Sequence, residues 1–178
     1  MGAPSNLGDN LTKLTETIVG QSNPITTNYE YDKDSKLKKV ILNKGSYLTN
    51  TYDTIGRLTG KTITDGSANY STAYSYLAGS TGSTTTKVGS ITNNGAAISY
   101  AYDSNGNITT ITQGSQVISY QYNELSEVVR ENNQVLNKTV TYAYDAGGNI
   151  TNKNEYAYTT GTQGTQTKTI LITRVKEN

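Results

Sequence analysis

Hydrophobic and small polar positions alternate along most of this chain, and the same short polar stretch repeatedly closes the alternation. From Ser99 the sequence reads Ser-Tyr-Ala-Tyr-Asp-Ser-Asn-Gly-Asn-Ile-Thr, in which Tyr100 and Tyr102 alternate with small residues. A period of two is typical of a strand with one buried face. Asp103 and Gly106 fit the first and fourth positions of a type I turn, since Asp bonds the backbone ahead and Gly accepts the left-handed conformation. The stretch therefore predicts a β-hairpin with a three-residue loop and a bulge.

In this hairpin Tyr102 is expected opposite Ile108, as an aromatic and β-branched cross-strand pair. The same offset of six positions between a Tyr and an aliphatic residue occurs in five copies: Tyr31/Leu37, Tyr52/Leu58, Tyr102/Ile108, Tyr122/Val128 and Tyr144/Ile150. Regular copies follow one another at steps of 20 to 22 residues, and a weaker copy at Tyr74-Ser75-Tyr76 fills the longest interval. Such a period is typical of repeat architectures. We predict an all-β fold, an extended and curved antiparallel sheet of successive β-hairpins.

The domain organisation follows from the repeats. We expect a single array over residues 1–178 with about six to seven hairpin repeats, clear over 5–160 and atypical over 161–178. Residues 5–12 align with half a repeat, which indicates a piece of a larger array. Residues 170–178 lack the Tyr-Asp unit, so they form either a plain terminal strand or an interruption of the array.

The irregular stretches carry their own predictions. Between Leu11 and Val19 a Thr-rich setting favours a strand over a helical stripe. A long Gly/Ser/Thr loop is expected over 77–87, polar turns over 92–95 and 131–134, and a wide turn over 161–164.

The amino-acid composition mainly excludes classes of function. The 15 Tyr residues stand without any Phe or Trp, which suits a sheet whose faces are partly wet. A net charge of +1 gives no reason to expect nucleic acid or an anionic membrane surface, and no apolar run approaches the roughly 20 residues of a membrane span. With no Cys and no His, thiolate or imidazole catalysis and their metal sites are excluded. We expect no enzyme, no cofactor and no metal. The N-terminal residues lack a signal-peptide pattern, so a signal for export would lie outside this chain.

Three candidate chemistries were weighed against structural roles. The repeated residues Asp32, Asp53, Asp103 and Asp145 fit turn capping far better than acid–base catalysis, because each occupies the first position of a turn. The stretch at Asp103 lacks the bidentate Glu of a calcium loop, and that at 161–169 lacks the context of a phosphate loop.

Aromatic side chains offer the remaining candidates. Tyr100, Tyr120 and Tyr142 could stack on sugar rings if they form exposed rows. Arg130 is expected opposite Tyr120, with a cation–π contact.

The structural repeat positions are the Tyr, Asp, Gly and aliphatic residues of the copies. They are Tyr31, Asp32, Leu37, Tyr52, Asp53, Gly56, Leu58, Tyr100, Tyr102, Asp103, Gly106, Ile108, Tyr122, Val128, Tyr142, Tyr144, Asp145, Gly148 and Ile150.

These positions resemble a known family. The pattern Tyr-x-Tyr-Asp-x-x-Gly-[Asn/Arg]-[Ile/Leu]-Thr at a spacing of about 21 residues is similar to the tyrosine–aspartate (YD) or Rhs repeat, over roughly residues 5–160. The family includes bacterial polymorphic toxins, shell subunits of insecticidal toxin complexes, Gram-positive wall-associated proteins and animal teneurins, and the wall-associated type looks closest. The resemblance implies a continuous sheet of hairpins that spirals into a hollow shell, which in the toxins encloses a C-terminal effector.

The resemblance also implies a function for the parent protein. We expect a non-catalytic structural segment of a secreted or cell-surface YD-repeat protein, forming part of a β-shell around a C-terminal toxin. The alternative is a carbohydrate-binding or adhesive module that uses exposed Tyr rows. The expected partners are flanking YD repeats and the enclosed toxin, or glycans under the alternative, with no nucleic acid and no membrane insertion. Unpaired sheet edges also predict self-association or marginal stability.

Overall fold

In a computed structural model, which describes residues 10–172, the chain folds into antiparallel strands joined by short turns. The only helical elements in this part of the chain are 3₁₀ turns at Asn43–Gly45 and Ser80–Gly82. The all-β fold of successive antiparallel hairpins is confirmed. The prediction of a single array of six to seven repeats stays a prediction, and most of the half-repeat at 5–12 lies outside the described residues.

The chain forms two compact units, Met1–Gly95 and Ala96–Asn178. Within each unit, every described strand pairs antiparallel with its neighbour in sequence. The first unit contains β1 (Lys13–Glu16), β2 (Ile25–Tyr31), β3 (Leu37–Ile41), β4 (Tyr47–Tyr52), β5 (Leu58–Asp65), β6 (Ala68–Ala78) and β7 (Thr84–Asn93). The second contains β8 (Ala96–Tyr102), β9 (Ile108–Gln113), β10 (Gln116–Tyr122), β11 (Val128–Asn133), β12 (Lys138–Tyr144), β13 (Ile150–Ala157) and β14 (Gln166–Leu171).

A bulge follows the first residue pair of each regular hairpin. Tyr102 lies opposite Ile108, but the next pair is Ala101 with Thr110, so Thr109 is the extra residue. The same shift occurs beside Tyr31, Tyr52, Tyr122 and Tyr144. A bulge places two residues of one strand opposite one residue of the other and increases the local twist.

The bulge makes one sequence prediction wrong. Arg130 lies opposite Gln121, and Tyr120 lies opposite Glu131. The extra residue moves the register by one position beyond Tyr122, which turns the Arg130 side chain to the other face of the sheet. The expected cation–π contact between Arg130 and Tyr120 is therefore replaced by other contacts of Arg130.

Two loop predictions are also corrected. The expected long loop at 77–87 is mostly strand, because Tyr76 pairs with Val88 and Ala78 with Thr84. β-branched Thr residues at the start of β7 suit a pleated sheet better than a loop. The turn predicted at 131–134 lies at 134–137 instead, since β11 continues to Asn133. At the N-terminal end β1 confirms the strand, although it covers only Lys13–Glu16.

The most buried residues of the described chain lie on β11, β12 and β13. Val140 is 1% exposed and Thr139 is fully buried. Asn132, Asn133 and Tyr156 are buried beside them. Most other strand residues are only half-buried, as expected for a single sheet built from Tyr and Thr.

Hydrogen bonds from Arg130 hold the segment between β13 and β14 beside the buried residues of β11 and β12. Its Nε donates to Asn132 Oδ1 at 2.8 Å, and its guanidinium donates to the carbonyl oxygens of Thr159 and Gly161 at 3.2 and 3.0 Å. The backbone N–H of Thr159 donates to Thr139 Oγ1 at 3.0 Å. The expected wide turn is therefore held against the sheet rather than projecting from it.

Candidate functional site

The candidate site in each unit is its turn edge, the hairpin ends at which the repeats of that unit begin with Tyr and Asp. In the turn after Tyr52, Asp53 Oδ1 accepts hydrogen bonds from the backbone N–H groups of Ile55 and Arg57 at 3.1 and 2.8 Å. The turns that begin at Asp32, Asn123 and Asp145 are capped in the same way. In the turn at Asp103 the backbone N–H of Asn107 donates to Oδ1 at 2.8 Å. The first residue of each turn thus satisfies backbone groups that the tight reversal leaves unpaired.

The fourth turn position adopts a left-handed conformation. Gly56, Gly106 and Gly148 have φ of 87°, 92° and 76°. Ser35 and Ser126 take the same position with φ of 61° and 62°. A non-glycine residue is strained there, so the turn geometry is retained by the rest of the hairpin even where glycine is lost.

In four of the five regular turns of the described chain, a second side chain closes the turn from the fifth position. In the turn after Asp32 the fifth residue, Lys36, donates to Asp34 instead. Asn107 Nδ2 donates to Asp103 Oδ2 at 2.9 Å, and Arg57 Nε donates to Asp53 Oδ2 at 2.6 Å. Where the first position is Asn123, the polarity is reversed, and Nδ2 donates to Glu127 Oε2 at 2.6 Å. The sequence analysis did not predict this pairing. The sequence does show its signature, because the turn with an amide at the first position, Asn123, has a carboxylate at the fifth, Glu127.

The fifth position also contacts the following repeat. The Arg57 guanidinium lies 4.3 Å from the ring centroid of Tyr76, and the Lys36 ammonium lies 5.8 Å from that of Tyr52. Asn107 Nδ2 donates to Ser126 Oγ at 3.1 Å. Neighbouring turns within a unit are therefore connected by side chains as well as by the sheet.

A further connection between repeats is made by the tyrosine at the hairpin mouth, called here the key tyrosine. Tyr144 Oη donates to the carbonyl oxygen of Val128 at 2.8 Å, and Tyr122 Oη donates to that of Ile108 at 2.7 Å. Each acceptor is the aliphatic residue that pairs with the key tyrosine of the preceding repeat. The same bond joins Tyr31 to Leu11, Tyr52 to Leu37 and Tyr76 to Leu58, at 2.9, 2.9 and 2.7 Å.

This tyrosine–carbonyl seam explains why the repeat uses Tyr where Phe would pair equally well with an aliphatic side chain. The ring packs at the hairpin mouth while the hydroxyl satisfies a backbone acceptor of the adjacent repeat. Composition alone shows the preference for Tyr but not the acceptor, because the acceptor belongs to another repeat.

The structure places the predicted Tyr–aliphatic positions opposite each other in the register of their hairpins. The pairs are Tyr31 with Leu37, Tyr52 with Leu58, Tyr102 with Ile108, Tyr122 with Val128 and Tyr144 with Ile150.

The electrostatics of the turn edge follow from these contacts. The Asn107 amide is the main cause that holds the pKa of the Asp103 carboxyl below its usual range, and backbone N–H groups add to it. For Asp53 the largest single effect is desolvation, which raises the pKa, but the hydrogen bonds from Arg57 and Ile55 outweigh it and the pKa is lowered. Burial, followed by the charge of Glu127, raises the pKa of the Tyr144 hydroxyl. The Asp53 and Asp103 carboxylates thus stay charged as hydrogen-bond acceptors, and Tyr144 stays a neutral donor.

The three tyrosines considered for sugar stacking lie two residues before key tyrosines. Tyr100 lies opposite Ile111, Tyr120 opposite Glu131 and Tyr142 opposite Lys153. All three side chains are half-buried within the sheet rather than exposed in rows. Burial raises the pKa of Tyr120 and of Tyr142, with a further contribution from the Glu131 carboxylate. This packing does not favour a stacking platform for sugars.

Residues 10–172 hold no group of three or more Asp or Glu side chains placed to bind a metal ion. A search of the same residues finds no helix with the length and apolar character needed to cross a membrane.

Solved structures with the same arrangement of strands include toxin-complex proteins. The chain is similar to the crystal structure of TcdB2-TccC3-Cdc42, with 18% identity and a TM-score of 0.51 over 88% of this chain and 10% of that chain. The crystal structure of TcdB2-TccC3 without its hypervariable C-terminal region gives the same identity, coverage and TM-score. A Photorhabdus luminescens Tc holotoxin pore is 18% identical over 77% of this chain and 9% of that chain, with a TM-score of 0.47. This chain spans about a tenth of the length of those proteins, and the likeness to the two crystal structures shows a shared fold.

Sequence comparison identifies the family. No curated protein sequence matches the chain. The family model described as teneurin YD-shell matches residues 47–174, which is well over half of the chain and confirms the resemblance to YD repeats. The chain, with its Tyr-Asp hairpins and its tyrosine–carbonyl seam, belongs to the teneurin YD-shell family.

Proposed function

We propose that this chain is a non-catalytic wall segment of a larger, secreted or cell-surface YD-shell protein, and that the wall encloses a C-terminal toxin in that parent. Family membership and the fold shared with proteins of toxin complexes support a structural shell role. Enclosure of a toxin, export, and an association with the cell wall are parts of the proposal.

The observation that carries the proposal is the tyrosine–carbonyl seam. A sheet made only of successive hairpins is held by backbone bonds along its strands, so the hairpin mouths are its weak points. Each key-tyrosine bond, such as Tyr122 to Ile108, closes the mouth of one hairpin against its neighbour. The caps of the turns satisfy backbone N–H groups that the tight reversals leave without a strand partner. A wall built in this way resists local opening, which proteases require in order to cleave a folded chain.

The sheet edges determine the proposed partners. Strand β14 has largely exposed residues, and its pairing in the described chain is with β13 alone. Such an edge suits the addition of a further strand, so flanking YD repeats are the proposed neighbours in the parent protein. In the isolated chain the same edge would promote self-association.

The experiment is to express the complete parent protein and determine its structure by electron microscopy, together with protease protection of its C-terminal domain. We expect residues 47–174 within the wall of a hollow shell, and a C-terminal domain that is cleaved more slowly inside the parent than when expressed alone. A parent without a closed wall, or equal cleavage rates for enclosed and free domain, would overturn the proposal.

A further inference from the structure

The sequence contains two asparagine–glycine dipeptides, and both lie in turns with an exposed asparagine. They are Asn94-Gly95 in the first unit and Asn105-Gly106 in the second. Because glycine has no Cβ, its backbone nitrogen is sterically open to the side-chain amide of the preceding asparagine. Attack by that nitrogen on the amide carbon forms a cyclic succinimide and releases ammonia. In a folded chain the reaction therefore depends on how freely the asparagine side chain can turn towards the nitrogen.

The side chain of Asn94 is held by strand β6. Its Oδ1 accepts hydrogen bonds from the backbone N–H and the hydroxyl of Ser71, at 2.7 and 3.5 Å. The backbone N–H of Asn94 donates to the carbonyl oxygen of Ser71 at 2.9 Å. Rotation of the amide towards the nitrogen of Gly95 would break the side-chain bonds, which raises the barrier to attack.

The side chain of Asn105 has no such restraint. It occupies the third position of the turn that begins at Asp103, and it makes no hydrogen bond to the described residues. The turn is closed instead by Asn107, which donates to the Asp103 carboxylate at 2.8 and 2.9 Å.

The nucleophilic nitrogen in this turn is only weakly held by the backbone. The N–H of Gly106 donates to the carbonyl oxygen of Asp103 at 3.2 Å, and it also lies beside the Asp103 carboxylate. The equivalent backbone bonds of the other four regular turns measure 3.0 to 3.1 Å. The group that must rotate is therefore restrained at Asn94 and unrestrained at Asn105.

We propose that Asn105 is a site of spontaneous deamidation, and that Ser71 protects Asn94 from the same reaction. The nitrogen of Gly106 bonds to Cγ of Asn105, the bond from Cγ to Nδ2 breaks, and the proton lost by Gly106 leaves with the amide nitrogen as ammonia. Water then adds to either carbonyl carbon of the succinimide and opens the ring, which leaves aspartate or isoaspartate at position 105. The proposal is independent of enclosure by a parent shell, since the turn belongs to one unit of this chain.

The two products differ in their effect on the turn. Aspartate already occupies the third position in the turn after Asp32, where the backbone N–H of Asp34 donates to Asp32 Oδ1 at 2.9 Å. Isoaspartate instead adds a methylene group to the main chain between Asp103 and Asn107. Their mutual bonds, at 2.8 to 3.0 Å, depend on the present length of that loop. The aspartate product should keep the turn, and the isoaspartate product should open it.

The experiment compares the two dipeptides within one molecule. The complete chain is incubated at mildly alkaline pH and digested with chymotrypsin, which cleaves after Tyr100 and Tyr102 and so separates the two sites. Mass spectrometry then gives the deamidated fraction of each asparagine over time. We expect Asn105 to react at least about tenfold faster than Asn94 in the folded chain, and the two rates to become similar in urea.

Three results would overturn the proposal. They are equal or faster reaction at Asn94 in the folded chain, an unchanged Asn105 over a time in which the urea-unfolded chain is converted, and a rate difference that persists in urea.

A variant tests the nucleophile. Gly106→Ser is compatible with the turn, because serine takes the same left-handed position at Ser35 and Ser126. Its side chain crowds the backbone nitrogen, so deamidation at Asn105 should slow by at least about tenfold while the rate at Asn94 is unchanged. An unaltered rate at Asn105 would contradict the assignment, and the comparison with Asn94 in the unsubstituted chain stays decisive if this variant does not fold.

A second variant separates the two products. Asn105→Asp reproduces the aspartate product and should leave the urea midpoint unchanged. The deamidated fraction of the incubated chain, isolated by anion exchange, also contains isoaspartate and should show faster hydrogen exchange over 103–109 than Asn105→Asp. Equal exchange in the two samples would refute the opening of the turn.

Discussion

The tyrosine–carbonyl seam can be tested by removing a single oxygen atom. In Tyr144→Phe the ring that packs opposite Ile150 is kept, while the bond from Oη to the Val128 carbonyl oxygen at 2.8 Å is lost. A typical intramolecular hydrogen bond contributes about 0.5–1.5 kcal/mol net. Tyr144 is half-buried, so water reaches the freed carbonyl only in part. We therefore expect the free energy of unfolding to fall by about 1 kcal/mol.

The same strand provides the matched control. Tyr142 is half-buried two residues away, and its hydroxyl has no hydrogen-bond partner among the described residues. Tyr142→Phe should therefore change the free energy of unfolding by no more than about 0.5 kcal/mol. Urea denaturation followed by circular dichroism measures both variants, with the slope m checked for constancy. Equal losses in Tyr144→Phe and Tyr142→Phe, or no loss in either, would refute the structural role of the key-tyrosine hydroxyl.

Further predictions concern charge, turns and the connection held by Arg130. The folded chain raises the pKa of the Tyr144 hydroxyl. The contribution of this hydroxyl to the free energy of unfolding is therefore complete below the ordinary tyrosine pKa of about 10, and it is lost as the pH rises through the higher pKa of the folded state. Urea midpoints measured from about pH 8 to 11 should decline less in Tyr144→Phe than in the unsubstituted chain. Asn123→Asp places a second carboxylate beside Glu127 and should lower the melting temperature. Adding Glu127→Asn to Asn123→Asp should recover the melting temperature, with a coupling energy of about 1 kcal/mol between the two positions in a double-mutant cycle. Additive effects of the two substitutions would contradict the pairing. Ser35→Gly removes left-handed strain at φ 61° and should raise stability by about 0.5 kcal/mol in urea denaturation, while a loss would show that the serine side chain matters more than the strain. Arg130→Ala should increase hydrogen exchange over 158–165 by at least about tenfold relative to β10, and unchanged exchange would refute the role assigned to its three hydrogen bonds.

Local patterns predicted the hairpin unit because its causes are local. The alternation before Tyr102, the turn residues Asp103 and Gly106, and the offset to Ile108 all lie within a few residues, so their geometry follows from backbone preferences and side-chain periodicity. The all-β fold and the resemblance to YD repeats depended on the recurrence of that unit, and both are confirmed.

The errors arose where a contact crosses from one element to another. Arg130 was placed on the wrong face because the bulge adds a residue that no local pattern counts. The turn expected at 131–134 was displaced because Asn132 and Asn133 are buried, with Asn132 bonded to Ser119 and Arg130, which outweighs the turn preference of asparagine. The first correction depends on a bulge within the hairpin, and the second on packing against other strands, where intrinsic preference is a weak guide.

The sequence alone therefore determined the strand, the turn and the residue pair of each repeat, since these are set by neighbours along the chain. Only the tertiary structure decided what the tyrosine hydroxyls bind. A hydroxyl donor and its carbonyl acceptor in the preceding repeat are separated by 16 residues at Tyr144 and by 14 at Tyr122. Folding brings them within hydrogen-bond distance, and the spacing of residues along the chain carries no information about that direction or distance.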